Sequence, residues 1–137
     1  MICNVPLDLA IMVDTSGSIS RRNFRVLLRF IRDFVNSFEV SEDLTHIAII
    51  QYSTTASVQL RFNDLQGSQL NRYNVKRVVD RIRHDKGFTY IDRALRLANE
   101  EVFTWKAGMR DDVKKVRRST CDINEMSRNE ILALCND

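Results

Sequence analysis

The stretch Leu9-Ala10-Ile11-Met12-Val13-Asp14-Thr15-Ser16-Gly17-Ser18 joins an apolar run to a polar turn. An unbroken apolar run that ends at an acidic residue is typical of a buried parallel strand that ends at the carboxyl edge of a sheet. Ligands of open α/β sheets bind at that edge. Asp14, Ser16 and Ser18 offer three oxygens there, and Mg²⁺ prefers oxygen ligands while keeping several waters. The stretch therefore predicts a first strand, Asp8–Asp14, followed by candidate metal ligands.

Beyond this stretch, the apolar spacing predicts one helix and two further strands. Ser18 or Ser20 can cap the helix, which is indicated by seven apolar residues at helical spacing. These residues are Phe24, Leu27, Leu28, Ile31, Phe34, Val35 and Phe38. His46–Tyr52 predicts a second buried strand. The alternation of apolar and polar residues in Val58–Phe62 predicts an edge strand that pairs antiparallel with its neighbour.

The second half of the chain predicts two more helices and a divergent tail. Asn71 can cap a helix that ends at Lys86-Gly87, and Thr89 can cap the next helix. After Phe103 the periodic pattern fades, no further strand is evident, and Ser127 fits the start of one short helix. The order β-α-β-β-α-α predicts an α/β fold. We expect a Rossmann-like three-layer α/β/α sheet that is incomplete and carries a divergent C-terminal tail.

Composition limits the possible functions. The chain has 137 residues and a net charge of +3, which fits one domain and favours no nucleic-acid partner. No apolar run approaches the ~20 residues of a membrane span, and no signal peptide is visible. Cys3, Cys121 and Cys135 form no Cys-x-x-Cys pair, so a zinc site has weak support. Either all three are free thiols, or a bridge ties the start of the domain to its end in an oxidising compartment.

Two groups of basic residues each allow two interpretations. Five arginines between Arg21 and Arg32 share the polar face of the first predicted helix. They form either an anion-binding stripe or a solvated helix face. Lys114–Arg118 carries four cations in five residues. It is either a docking site for an anionic glycosaminoglycan or a solvated linker.

Several segments, in the same order and spacing, resemble the N-terminal part of a von Willebrand factor A domain of the matrilin, collagen VI and integrin I-domain type. These segments are Cys3 before Val5–Leu9, Val13–Ile19, Ile49–Ser53, Val58–Asn63, Gly87–Leu95, Val102–Thr104 and Gly108–Val116. The resemblance divides the chain into a family-like portion, residues 1–116, and a divergent tail with a short helix, residues 117–137.

The resemblance implies a metal-ion-dependent adhesion site. Matched residue by residue, the site consists of Asp14, Ser16, Ser18 and Thr89. It implies Mg²⁺, with Mn²⁺ or Ca²⁺ as alternatives, and a partner's Glu or Asp that completes the coordination of the metal. The implied function is a non-enzymatic, extracellular adhesion module whose partner is an extracellular matrix or cell-surface protein.

The chain departs from the family after Val116. In the family this segment is a central buried strand that ends in another acidic residue of the site. Here it is Arg117-Arg118-Ser119-Thr120-Cys121-Asp122, in which Asp122 is the nearest acid. We therefore expect a domain truncated at its C-terminus, with an unpaired edge on the first strand and the second acidic residue of the site missing.

Two alternatives to metal-dependent adhesion remain at this point. The chain could be a metal-independent protein-interaction scaffold or a non-functional truncated isoform, since the site lacks an acid. A metal-dependent phosphotransferase with Asp14 as nucleophile is disfavoured, because position 16 is a serine where such enzymes need a second aspartate. The chain also has no Gly-x-Ser-x-Gly turn and no phosphate-binding loop.

Overall fold

The computed structural model describes residues 3–135 and contains a four-stranded sheet in the order β3-β2-β1-β4. The strands are β1 (Leu7–Asp14), β2 (Thr45–Tyr52), β3 (Ala56–Leu60) and β4 (Lys114–Ser119). β1 pairs in parallel with both β2 and β4, and β2 pairs antiparallel with β3. The predicted strands over Asp8–Asp14, His46–Tyr52 and the start of Val58–Phe62 are thus confirmed, and β3 is an edge strand as expected.

Helices cover both faces of this sheet. They are α1 (Arg21–Val35), α2 (Arg72–Asp80), α3 (Ile91–Leu97), α4 (Thr120–Glu125) and α5 (Arg128–Leu134), and a π turn, Ala98–Val102, continues α3. The odd-numbered side chains of β1 pack with α1, α2, α4 and α5, while Ala10 and Met12 pack with α3 and the π turn. The expected three-layer α/β/α arrangement is confirmed. Within the described residues, no helix is long and apolar enough to cross a membrane.

Local side-chain hydrogen bonds fix where three of the helices begin. The side-chain oxygens of Ser20, Asn71 and Ser127 each accept a hydrogen bond from the backbone N–H three residues later. Each bond satisfies an N–H group that has no partner within the helix. The predicted caps at Ser20, Asn71 and Ser127 are confirmed.

The prediction that no further strand follows Phe103 is wrong, because the sheet contains a fourth strand, β4. β4 lies beside β1 in parallel, with Leu9 opposite Val116 and Met12 opposite Ser119, so the edge of β1 is paired. β4 lies at the edge of the sheet, and only its Val116 and Ser119 are buried. Its other residues are basic, so the sequence shows no apolar pattern that would indicate a strand. Charged side chains are common on edge strands, where they discourage pairing with other chains.

The segment between α2 and α3 also differs from prediction. α2 ends at Asp80 rather than at Lys86-Gly87, and residues 82–90 form no regular structure. Tyr90, not Thr89, precedes the first turn of α3, and no side chain caps that helix. Lys86 adopts a left-handed conformation with φ of 64°, which a continuous helix cannot include. Backbone groups of this segment bond instead to the loop after β1 and to the turn after β2.

The tail contains two helices where one was predicted, and a disulfide anchors its end. Cys3 and Cys135 are bonded, with 5.3 Å between their Cα atoms, and Cys121 is a free, exposed thiol. This bond decides between the alternatives that the sequence left open for the three cysteines. The division between residues 116 and 117 stays a prediction, and it falls inside β4.

An ion pair at the amino end of β1 joins the sheet to the loop before β4. The carboxylate of Asp8 is fully buried, and it accepts hydrogen bonds from Nε and the backbone N–H of Arg110 at 2.9 and 2.7 Å. Nη2 of Arg110 also donates to the carbonyls of Leu7 and Leu44 at 3.0 and 2.6 Å. These bonds replace water around the buried charge of Asp8. They also tie the first residues of β1 to Arg110, which fixes the position where the strand begins.

We expect Arg110→Ala to lower the free energy of unfolding by about 3–5 kcal/mol, because it leaves the Asp8 carboxylate buried and unpaired. Arg32→Ala is the matched control, since it removes an exposed ion pair with Asp80 and is expected to cost about 0–1 kcal/mol. Urea unfolding of the oxidised chain measures both values. Equal losses in the two variants would contradict the assigned role of Arg110.

We expect Cys3→Ser to lower the free energy of unfolding by roughly 2–5 kcal/mol, because the lost bond closes a loop of nearly the whole chain. Cys121→Ser removes an exposed free thiol and is expected to leave stability unchanged. Thermal unfolding without reductant compares both variants with the parent chain. A Cys3→Ser variant as stable as the parent would rule out a stabilising role for this disulfide.

Candidate metal site

The loop that follows β1 brings three of the predicted ligands together. Oδ1 of Asp14 accepts a hydrogen bond from the backbone N–H of Ser16 at 2.8 Å. The hydroxyl oxygens of Ser16 and Ser18 are 2.8 Å apart. Ser16 is buried, Asp14 is half-buried and Ser18 is exposed, so the group is open to solvent on one side. The geometry joins Asp14, Ser16 and Ser18 into one polar cluster at the carboxyl edge of the sheet.

The spacing of these oxygens fits a small divalent cation. Ligands about 2.0–2.1 Å from an octahedral Mg²⁺ ion lie about 2.9 Å from their nearest neighbours. The Ser16–Ser18 oxygen distance of 2.8 Å is close to that separation. Oδ2 of Asp14 accepts no hydrogen bond from any described residue, so it is free for an ion or for water. The donor set consists of oxygens alone, which suits Mg²⁺ better than a thiophilic metal.

The loop is held against residues 84–87 by three hydrogen bonds. Lys86 N–H donates to the carbonyl of Thr15 at 2.8 Å, and Gly17 N–H donates to the carbonyl of Gly87 at 2.8 Å. Nε2 of His84 lies 2.9 Å from the carbonyl of Ser16, where it acts as the donor because a carbonyl only accepts. The His84 ring also stacks on Phe24 of α1, with 4.4 Å between ring centroids.

A close backbone approach requires glycine at position 17. A Cβ atom added to Gly17 would lie 2.5 Å from the carbonyl oxygen of Lys86, which belongs to the backbone and cannot move freely. A residue with a side chain would therefore push the loop of Ser16 and Ser18 away from the segment that carries Thr89. Gly17 thus holds the two parts of the candidate site together.

Thr89 lies on the neighbouring segment, but its side chain is not bonded to the other three predicted ligands. Phe88 N–H donates to Oγ1 of Thr54 at 2.9 Å, and Tyr90 N–H donates to the carbonyl of Ser53 at 3.0 Å. The backbone on both sides of Thr89 is therefore anchored to the turn between β2 and β3. The Thr89 side chain is exposed and forms no hydrogen bond with the described residues.

Asp122, the nearest acid in the tail sequence, is engaged elsewhere. Oδ2 of Asp122 accepts a hydrogen bond from the backbone N–H of Ser119 at 3.1 Å, and the Ser119 hydroxyl accepts one from Asp122 N–H at 3.2 Å. The two residues form the capping box at the start of α4. Asp122 therefore does not complete the cluster around Asp14, and no group of three or more His, Cys, Asp or Glu residues among residues 3–135 is arranged to hold a metal.

Three residues near the cluster were not singled out as site residues from the sequence. His84 contacts the Ser16 carbonyl, and Oγ1 of Thr120 accepts a hydrogen bond from Asp14 N–H at 3.2 Å. Asp85 accepts hydrogen bonds from Gln51 and Ser53 at 3.0 and 3.4 Å. Each is more than 30 positions away in the chain from its partner, so no local pattern indicates these contacts.

Tyr52 closes the inner side of the cluster. It lies opposite Asp14 in the pairing of β1 with β2, and only 2% of its surface is exposed. Burial raises the pKa of the Tyr52 hydroxyl far above its usual range, and the nearby Asp14, Cys121 and Asp122 raise it further. The Tyr52 hydroxyl therefore stays protonated and adds no negative charge to the site.

Comparison with known proteins identifies relatives with the same type of domain. Residues 8–117 match the family model of the von Willebrand factor type A domain. The chain is 28% identical to chicken matrilin-3 over 107 residues, 30% to rat von Willebrand factor over 106 and 27% to human integrin alpha-X over 109. These stretches make up 78%, 77% and 80% of this chain but only 23%, 24% and 9% of the relatives, so the chain spans a quarter of their length or less.

A solved structure agrees with the fold. Proximal thread matrix protein 1 from the mussel byssus, described as having a zinc-occupied MIDAS motif, aligns with a TM-score of 0.75 and 26% identity. The alignment covers 86% of this chain and 29% of the mussel chain. The fold predicted from the resemblance is confirmed.

We expect Gly17→Ala to weaken Mg²⁺ binding by roughly 10–100-fold, the usual effect of disturbing the groups that support metal ligands. Gly67→Ala is the control, because no atom lies within 4 Å of its added Cβ and only its φ of +59° is unfavourable. That variant is expected to lose about 1–2 kcal/mol of stability without losing Mg²⁺ affinity. Isothermal titration calorimetry measures the Mg²⁺ affinity of both variants, and urea unfolding measures their stability. Similar affinities for the two variants would contradict the role given to Gly17.

Proposed function

The chain belongs to the von Willebrand factor type A domain family, and we propose that it is a non-enzymatic module for adhesion or matrix interaction. Its relatives in this family are extracellular matrix and adhesion proteins. The proposed activity is the binding of a partner's carboxylate through a divalent metal ion. The proposed ligands of that ion are Asp14, Ser16, Ser18 and Thr89.

The observation that carries this proposal is the 2.8 Å separation of the Ser16 and Ser18 hydroxyl oxygens beside the Asp14 carboxylate. The bond from Ser16 N–H to Oδ1 of Asp14 fixes both the turn and the orientation of the carboxylate. The backbone bonds of Thr15 and Gly17 to residues 86 and 87 bring Thr89 to the same edge of the sheet. Four oxygen-bearing side chains therefore belong to two loops that are bonded to each other.

The charge of these ligands favours an acidic partner. One carboxylate and three neutral hydroxyls leave one of the two positive charges of a divalent cation uncompensated. When bound, the ion supplies an electrophilic coordination position for a carboxylate from outside the chain. Asp14 orients the loop, the two serines and Thr89 contribute neutral oxygens, and no described residue at the site is placed as a nucleophile. We propose Mg²⁺ as the ion, with Mn²⁺ or Ca²⁺ as alternatives.

We propose that the module acts outside the cell, on a matrix or cell-surface protein. The bond between Cys3 and Cys135 supports this location, because disulfides persist in oxidising environments and are rare in the cytosol. The relatives support it independently. The zinc of the mussel protein shows that a site of this type accepts a divalent metal in that protein.

One observation favours a metal-independent scaffold as the second candidate. Asp122 is engaged as a helix cap, so the described residues provide only one carboxylate at the site. A site with a single acid holds a cation more weakly than a site with two. In that case, the same surface would bind a partner without an ion, and added metal would not change stability.

We expect millimolar Mg²⁺ to raise the midpoint of thermal unfolding of the oxidised chain and to leave that of Asp14→Ala unchanged. A ligand that binds only the folded state stabilises it by about 2.7 kcal/mol at a concentration 100 times its Kd. Asp122→Asn is the matched control, because the asparagine oxygen still accepts the hydrogen bond from Ser119 N–H and Asp122 is not among the proposed ligands. This variant is expected to keep the full response to Mg²⁺.

The same measurement separates the two candidate functions. If Mg²⁺, Mn²⁺ and Ca²⁺ all leave the unfolding midpoint of the parent chain unchanged, the metal-dependent mechanism is contradicted and the metal-independent scaffold is favoured. If the response is lost in Asp122→Asn but kept in Asp14→Ala, the ion binds near Asp122 rather than at Asp14, which contradicts the proposed ligands.

A further inference from the structure

A groove of about 410 Å³ opens between α1 and α4, directly beside the candidate metal site. Asp14 and Ser18 form one end of it. Apolar side chains at the start and middle of α1 form its long side, and polar side chains of α4 face them. We call this feature the α1–α4 groove, defined by Asp14, Ser18, Ile19, Val26, Leu27 and Phe30.

The apolar side of the groove is covered only in part by the chain itself. Ile19 and Leu27 pack against the core from its margin. Val26 and Phe30 remain 43% and 46% exposed, one turn apart on α1. Exposed apolar surface next to a polar site is typical of a place where a partner binds. The groove is continuous with the metal site, so one ligand can reach both.

Positive charges flank the exposed edge of the groove on α1, although Asp14 is the only charged residue among the described residues that line it. Arg22 and Arg29 are exposed and lie four residues before and three residues after Val26, which places them on the same side of α1. Between Arg21 and Val35 the helix carries five arginines and a single acid, Asp33. Positive charge beside an exposed apolar strip complements a segment that is apolar on one side and acidic on the other.

We propose that the α1–α4 groove binds an acidic amphipathic segment of the partner protein. One carboxylate of the segment reaches the metal site, its apolar side chains cover Val26 and Phe30, and further acids face Arg22 and Arg29. An amphipathic helical segment that binds in a groove presents apolar anchors three or four residues apart, and the exposed Val26 and Phe30 provide an apolar surface for such anchors. Only the carboxylate end of this assignment rests on the proposed function, because the groove is independent of the ion.

The test begins with a random dodecapeptide phage library selected on the immobilised, oxidised chain in Mg²⁺. We expect the selected peptides to contain acidic residues together with apolar residues three or four positions apart. The consensus peptide, synthesised with a fluorescein label, then serves as the probe for anisotropy titrations. We expect Val26→Glu and Phe30→Glu to weaken its binding at least tenfold. Tyr73→Glu, the same charge at an exposed aromatic residue of α2, is expected to have no effect.

Thermal unfolding in Mg²⁺ keeps this test separate from that of the proposed function. Phe30→Glu should retain the Mg²⁺ response of the parent, which shows that the variant folds and that its site is intact. Peptide binding that resists EDTA and Asp14→Ala but is lost in Phe30→Glu would support the groove and overturn the metal mechanism. Peptide binding that is lost in Asp14→Ala but unchanged in Phe30→Glu would support the metal mechanism and overturn the groove assignment.

Two further outcomes overturn the groove assignment. If no peptide is enriched over an uncoated surface, the groove has no affinity for this class of ligand. If sedimentation shows a dimer of the parent chain that Phe30→Glu dissociates, a second copy of the chain covers Val26 and Phe30 instead.

Discussion

The pairing of β1 on both of its edges is the constraint on which the rest of the structure depends. β2 and β4 lie parallel to β1, and seven of its eight residues are buried. A strand enclosed in this way has one register that keeps its apolar side chains in the two cores. The fully buried Asp8, held by Arg110, marks its beginning, and Asp14 marks its end. The candidate metal site is therefore placed by the packing of the sheet rather than by the loop alone.

The position of the loop also depends on a second segment, residues 84–87, to which it is hydrogen-bonded. The backbone bonds of Thr15 and Gly17 to residues 86 and 87 give the loop a rigid neighbour. That neighbour is anchored in turn to Ser53 and Thr54 after β2. The ends of two adjacent parallel strands thus support one polar cluster. This arrangement explains why ligands of open α/β sheets bind at the carboxyl edge.

The elements that the sequence predicts correctly are those whose pattern is local. The apolar run before Asp14 and the helical spacing of Phe24, Ile31 and Phe34 indicate β1 and α1 directly, because burial produces the pattern. β4 was missed since its pairing comes from backbone groups and its exposed Arg117 carries no apolar signal. A bridge from the start of the domain to its end was one of two alternatives, but whether Cys3 pairs with Cys121 or Cys135 was not predictable, because it depends on where the tail folds. Asp14, Ser16 and Ser18 were indicated by their spacing, whereas the contact of His84 with this loop arises only from the tertiary fold.

A metal-bound carboxylate cannot identify a partner by itself, because aspartate and glutamate occur on nearly every protein surface. Specificity requires further contacts whose cost on a wrong partner is large. In the proposed binding mode, the α1–α4 groove supplies such contacts, because Val26 and Phe30 favour apolar side chains while the neighbouring Arg22 and Arg29 disfavour basic ones. In the proposed mechanism, a ligand set with a single carboxylate leaves the ion receptive to a carboxylate of the partner, and the groove selects the partner that supplies it. The two proposals therefore assign binding of the ion and recognition of the partner to different residues of the same edge.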